Sequence, residues 1–223
     1  MTQAPLPAPS AIIFDLDGTL ADTLADLAEA MNRALQFHGY PGADISAYRQ
    51  RIGWGLRELA RRSLPADVHE QQLNAVITAF QAIYFTEPVR KTAAYPGMPA
   101  LLEDLAQRHI PLFVHTNKPD APATVIIHRL FGSTLFRGVL GQREDMERKP
   151  SPQGVRFLLS LENLSPSGCW YIGDSEVDIA TAHAAGCASI AAAWGFRPAE
   201  FLKEADYICA DASELRELIL SAL

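Results

Sequence analysis

The chain has 223 residues, 48% of them apolar and 20% charged, enough for a sizeable core in one domain with an insertion or in two small domains. A formal net charge of −7 leaves no broad basic face for a phosphodiester backbone, so nucleic acid is not an expected partner, and no apolar run has the length of a membrane span. Cys169, Cys187 and Cys209 lack CxxC spacing and fall in apolar runs that read as strands, which suits buried thiols in a reducing cytoplasm better than disulfides.

The N-terminal TQAPLPAPS is proline-rich and lacks the basic and apolar regions of a signal peptide, so residues 1–10 read as a disordered arm. The run AIIF that follows predicts a strand, and it ends in acids at Asp15, Asp17 and Asp22. A turn at Asp17 and Gly18 would make a hairpin, but the next residues set Leu24, Ala28, Met31 and Leu35 at helical spacing, with Thr23 and Asp26 as a capping box. A calcium loop would need Gly and Glu where the chain has Leu20 and Asp26. The stretch therefore reads strand, acidic loop, helix. If the strand runs on through Leu16, the carboxylates of Asp15 and Asp17 project to one side. Two unit charges ~5 Å apart at an effective dielectric of about 20 repel by roughly 3 kcal/mol, so the pair needs a proton or a cation.

Residues 22–90 carry several helical segments, one with Leu73, Val76, Ile77, Phe80, Ile83 and Tyr84 on a single face. That is too much for one crossover, and predicts a helical insertion that returns near Tyr95, Pro96 and Gly97. From there PLFVHT, LFRGVL, CWYI, CASIAAAW and DYICA alternate with helical or polar segments, the pattern of a parallel sheet covered by helices on both faces. Ligands of such sheets gather beyond the carboxyl ends of the strands.

Three strand ends or helix starts stand out. Thr116, Asn117 and Lys118 close the strand LFVH, where the Thr116 hydroxyl and the turn's N–H groups either hold an anion or serve the fold alone; alternation turns His115 the other way. In ERKPSPQG, Ser151 reads as an N-cap and Pro152 as the first helical residue, which leaves Lys149 either solvated or set to neutralise an anion. In GDSEVD, Ser175 and Asp178 form a capping box, but Asp174 is not needed for it. An acid there, facing Asp15 and Asp17, would complete an oxygen-ligand set for a hard divalent cation.

Taken in order, FDLDGTL, HTNK, RKPSP and GDSEVD strongly resemble the four motifs of the haloacid dehalogenase-like phosphatase superfamily: DxDGT, a strand-ending Ser or Thr, a Lys, and GDxxxD or a close variant. The resemblance runs over nearly the whole chain from Ala11. It implies an α/β fold: a Rossmann-like parallel sheet core with helices on both faces, made from residues 11–21 and 91–223, and an inserted α-helical cap over 22–90. It also implies Asp15 as nucleophile, Asp17 as general acid and base, and Thr116 and Lys149 as phosphate holders. Mg²⁺ would be held by Asp15, Asp174 and the main-chain carbonyl of Asp17, with Asp178 supporting the metal shell or Lys149.

Within the superfamily, TLADT, the RIGWG loop, HTNKP, YPG and the late AWGF are most similar to phosphoglycolate phosphatases. The implied activity is Mg²⁺-dependent hydrolysis of a small phosphorylated metabolite, 2-phosphoglycolate first, through an aspartyl phosphate, by a cytoplasmic monomer or homodimer. Asn117 and the loop residues Arg51, Gly53 and Trp54 are candidate substrate contacts; alternatively Gly53 and Gly55 only shape a helix junction around a packed Trp. A dehalogenase would not need Asp17, and a phosphonatase of this type would need a cap Lys, of which residues 22–90 have none. A phosphosugar phosphatase or mutase would share the same core, and a silent phosphate-binding regulatory module would keep the site without turnover.

Overall fold

In the computed structural model, which describes residues 6–223, Ala11–Phe14 is strand β1 and all four of its side chains are buried. A strand apolar on both faces needs cover on both. It lies inside a six-stranded parallel sheet of order β5-β4-β1-β6-β7-β8, where β4 is Leu112–Pro119, β5 Gly138–Gln142, β6 Cys169–Gly173, β7 Ala188–Ala192 and β8 Tyr207–Cys209. Ile12 and Phe14 face a core shared with helices α4 (Met98–Gln107), α5 (Asp120–Phe131) and α8 (Ala212–Ala222). Ala11 and Ile13 face a second one shared with α6 (Gln153–Ser160) and α7 (Glu176–Ala185).

The chain builds β1, β4 and β5 toward one edge and β6, β7 and β8 toward the other, so the order reverses beside β1. Phe14 pairs with both Val114 and Ile172, which brings Asp15, Thr116 and Asp174 out at the same carboxyl edge. That edge is where a doubly wound sheet receives its ligand.

Between β1 and β4 stand β2 (Ala21–Asp22), α1 (Leu24–Phe37), a 3₁₀ turn (Ile45–Gln50), α2 (Leu56–Arg61), α3 (Glu70–Tyr84) and β3 (Ala93–Ala94). These helices have an apolar core of their own, in which Met31, Leu35, Tyr48, Leu73, Val76 and Phe80 meet. Of the face anticipated on α3, Leu73, Val76, Phe80 and Tyr84 are buried, with Ile77 and Ile83 partly so. β2 and β3 pair antiparallel and join the two connections of this cap.

One local expectation fails at that junction. Thr23 and Asp26 do not form a capping box: Thr23 Oγ1 is buried without a hydrogen bond, and Asp22 Oδ1 instead accepts from Leu24 N at 3.1 Å. Asp26 is recruited by the returning chain, and accepts from the N–H groups of Arg90, Lys91 and Thr92 and from the Thr92 hydroxyl, at 2.8–3.1 Å. Burial alone would raise the Asp26 pKa, but these donors together hold it below the ordinary carboxylate value. The start of α6 also shifts slightly: Pro152 is its N-cap, and Ser151 Oγ accepts from Gln153 N at 3.3 Å.

Of the arm read as disordered, residues 1–5 lie outside the described residues, while Pro7 O accepts from Trp170 Nε1 and Ser10 bonds Gly168 O. The three cysteines are buried free thiols, Cys169 in β6 and Cys209 in β8; Cys187 precedes β7 instead of lying in it. Among the described residues no helix is long and apolar enough to cross a membrane.

Candidate active site

Asp15 leaves β1 with its N–H on Ile172 O at 2.8 Å, and the chain then turns at Leu16, whose carbonyl accepts from Thr19, Leu20 and Ala21. Gly18 has φ +90°, and a Cβ there would fall 2.2 Å from Asp174 Oδ2, so only glycine lets this turn approach Asp174. The strand ends at Phe14, so Asp15 and Asp17 lie on the turn beyond it, and both line the cleft. Each carboxylate has its own lysine.

Lys149, 2% exposed, lies 2.7 Å from Asp15 Oδ1, 2.6 Å from Asp178 Oδ1 and 3.2 Å from the His115 carbonyl, one acceptor for each ammonium hydrogen. Its main-chain N–H donates to Asn117 Oδ1 at 2.8 Å, so the end of β4 sets its position. Asp178 closes the anticipated capping box through Oδ2, which accepts from Ser175 Oγ at 2.5 Å and Ser175 N at 3.1 Å, leaving Oδ1 for the lysine. Burial would lower the Lys149 pKa, but Asp15 and Asp178 hold it well above the ordinary value.

Asp15, Asp174 and Asp178, all buried, each offer an oxygen within 4.8 Å of the others. Three carboxylates against one ammonium leave a deficit of two positive charges. Burial, then Asp178, push Asp15 up to about 7 against the pull of Lys149. Burial, Asp178 and Asp15 push Asp174 well above its ordinary value, opposed by the Phe196 N–H, 2.6 Å from its Oδ2. A buried, all-oxygen donor set short of two positive charges fits a hard divalent cation such as Mg²⁺.

Asp17 is held differently. Its carboxylate receives Lys118 Nζ at 2.9 and 3.2 Å, and the ammonium stands 4.7 Å from the centre of the Tyr84 ring on α3. Burial lowers the Lys118 pKa, but Asp17 and then Tyr84 outweigh it and raise it to about 12. The sequence reading gave Lys118 no role. Its signal was there, since it lies two residues after Thr116 on a strand that continues to Pro119, and side chains two apart share a side.

Thr116 Oγ1, at the same edge, accepts from Lys118 N at 3.3 Å. Asn117 Nδ2 spans from core to cap, donating to Gly53 O at 3.0 Å and Lys149 O at 3.3 Å. His115 is buried beside Tyr171 with its ring against Gly154 and off the cleft, as alternation required, and burial, then Lys149, drive its pKa well below the ordinary value. Arg51 lies over the Tyr48 ring at 4.9 Å and donates to Ser63 Oγ; Trp54 carries the Arg62 guanidinium 5.5 Å from its ring. Neither lines the cleft, but Gly53 does. The cleft has Asp15, Asp17, Thr116, Asn117 and Lys118 below and the largely apolar side chains of the cap above.

Residues 12–192 match the family model of haloacid dehalogenase-like hydrolases. A phosphoglycolate phosphatase of Rhodospirillum rubrum is 34% identical over 195 residues, 84% of this chain and 81% of that protein. A predicted phosphoglycolate phosphatase from Haemophilus somnus superposes with a TM-score of 0.86 at 30% identity, covering 98% of this chain and 99% of that one. CbbY from Rhodobacter sphaeroides in complex with phosphate gives a TM-score of 0.76 at 25% identity over 93% of this chain and 96% of its own, and has also been solved with xylulose-(1,5)bisphosphate.

Proposed function

Because this chain belongs to the haloacid dehalogenase-like hydrolases, we propose that it is a Mg²⁺-dependent phosphatase of small phosphate monoesters, with 2-phosphoglycolate as its preferred substrate. The observation that carries the reading is the buried set Asp15, Asp174, Asp178 and Lys149, which combines a candidate nucleophile with a cation-deficient pocket at the sheet's switch point. Asp15 and Asp174, with Asp178 beside them and the main-chain carbonyl of Asp17, are the groups proposed to hold Mg²⁺. Bound there, the ion would cancel the repulsion between a carboxylate nucleophile and an anionic ester and polarise the phosphoryl oxygens.

The chain's own residues then divide the work. Asp15, its Oδ1 fixed by Lys149, attacks phosphorus; the Asp15–phosphorus bond forms and the ester P–O bond breaks. Asp17, oriented by Lys118, gives a proton to the leaving alkoxide, then takes one from the water that attacks the aspartyl phosphate and frees inorganic phosphate and Asp15. Thr116 offers its hydroxyl to the phosphoryl oxygens, Lys149, its three N–H groups taken by Asp15, Asp178 and the His115 carbonyl, supplies positive charge from behind, and Asn117 and Gly53 close the cleft beside them.

A small substrate is favoured by the relatives named above, which include phosphoglycolate phosphatases. A sugar-phosphate phosphatase or mutase is the second reading, favoured by the sugar bisphosphate bound in CbbY. Three free buried thiols are consistent with a reducing cytoplasm.

Phosphate release measured over 2-phosphoglycolate, sugar phosphates, nucleotides and pyrophosphate, with and without Mg²⁺, tests the proposal. The expected result is a kcat/KM for 2-phosphoglycolate about tenfold or more above the others, a gap worth roughly 1.4 kcal/mol or more, lost with chelator and in Asp15→Asn. Ordinary Mg²⁺-dependent turnover by Asp15→Asn would refute the nucleophile.

A further inference from the structure

Residues 195–197 follow β7 in the core and include the end of the AWGF motif. They reach in three directions. Phe196 N–H bonds Asp174 in the carboxylate cluster, while the Phe196 ring, 4% exposed, is packed inside the apolar core of the cap. Arg197, itself buried, spreads its guanidinium between the two bodies: Nε donates to Glu176 Oε2 on α7 at 3.0 Å, Nη1 to the Arg49 carbonyl, and Nη2 to the Ile52 carbonyl at 2.6 Å. Arg49 answers from the cap, with Nη1 3.3 Å from Gly195 O and its guanidinium 6.0 Å from the centre of the Phe196 ring.

The distribution of charge in this contact matters. Arg197 has its counter-charge, Glu176, in the core, and its bonds to the cap go to neutral main-chain carbonyls. The cap can therefore lift away without separating an ion pair or stranding a buried charge, which an Arg–carboxylate bridge across the gap would prevent. The two carbonyls flank the segment that delivers Ile52 and Gly53 to the cleft. Gly53, at φ +108°, could not carry a Cβ without placing it 3.1 Å from Arg197 Nη2. Asn117 holds the Gly53 carbonyl from the other side.

We propose that Arg197 is a positioning residue, a reversible latch that fixes the main chain of residues 49–53 against the core and thereby holds the cap's edge of the cleft over the substrate. The kinetic consequence rests on the proposed phosphatase reading; the mechanical one does not.

Arg197→Met removes every donor, and Arg197→Lys keeps the charge with a single ammonium that cannot reproduce the fork. Hydrogen exchange read by mass spectrometry should show amides of residues 45–56 exchanging about tenfold faster in Arg197→Met, and less so in Arg197→Lys, with β1, β4 and β6 unchanged. With the best ester, KM should rise about tenfold while kcat stays within about threefold, because the groups that touch phosphorus are untouched. Unchanged exchange over 45–56, or a uniform rise over core and cap alike, overturns the latch. Local loosening with an unchanged KM overturns its positioning role. Should the protein hydrolyse no ester at all, the exchange measurement still decides for or against the latch, and should Arg197→Met not fold, Arg197→Lys carries both readouts.

Discussion

On its core side the cleft offers buried charge, with Asp15, Asp17 and Lys118 all at 9% exposure or less and Lys149 and Asp174 directly behind them; on its cap side it offers Leu27, Ile52, Leu56, Leu59, Phe80 and Tyr84 with the main chain of the RIGWG loop. The core groups fix one another through two lysines that each hold a carboxylate. The cap adds shape and dryness, which strengthen the electrostatics beneath without adding a charge of their own. Chemistry and selectivity should therefore be separable by mutation: changes below the cleft should depress kcat for every substrate, and changes above it should shift KM and substrate ranking.

The sharpest way to break that division is Lys149→Met. It leaves Asp15 and Asp178 without their ammonium, and should lower kcat about 10³-fold and cost roughly 3–5 kcal/mol in denaturant unfolding without metal, as removal of one partner of a buried ion pair does. Lys118→Met should lower kcat about 10²-fold for all esters, the scale of a misplaced general acid, with Lys118→Arg recovering part of it. If either variant changes substrate ranking instead, the division fails.

The carboxylate cluster also sets a pH dependence. Asp15, raised to about 7, binds its proton more tightly in the metal-free fold than in the unfolded chain, so its contribution to stability is whole below the unfolded value of about 4 and is lost as pH rises from there through 7. A divalent cation needs the ionised form. The rise in Tm on adding Mg²⁺ should therefore be clearly larger at about pH 8 than at about pH 5.5, checked by thermal unfolding in matched ionic strength. An equal shift at both would contradict binding at these acids.

Smaller effects belong to the cap. Asp26→Asn weakens the clasp between α1 and residues 90–92, and should cost about 1–3 kcal/mol. With its folded pKa below the unfolded one, Asp26 contributes fully above about pH 4 and loses that contribution as pH falls through the folded value, so the variant should flatten the acid limb of the stability curve. Trp54→Ala should change kcat/KM by less than about threefold and leave the ranking of esters intact, since its ring lies under Arg62 outside the cleft.

The parts of the site that could be read from the sequence are those whose position follows from local pattern. Asp15 and Asp174 directly follow strands, Thr116 lies in the last half of one, and Asp178 sits in a capping box, so alternation and cap chemistry place them at one sheet edge. Lys118 escapes because a lysine closing a strand gives no sign of its partner, and Asp17, which it holds, lies 101 residues away in the chain. Asp26 misled for the opposite reason: a plausible local cap lost to donors 64 to 66 residues away, which no short window contains. Arg197 acts on main-chain carbonyls, which leave no trace in residue type, and the directions of Arg51 and Trp54 depend on how the cap helices pack.

Turnover stopped with acid in mid-reaction, followed by mass spectrometry of the digested protein, tests the central claim most directly, because an acyl phosphate survives acid long enough to be located. Phosphate covalently on Asp15 in the wild type, and on no residue in Asp15→Asn, is the predicted result. A phosphorylated residue elsewhere, or steady phosphate release with Asp15 never modified, would contradict it.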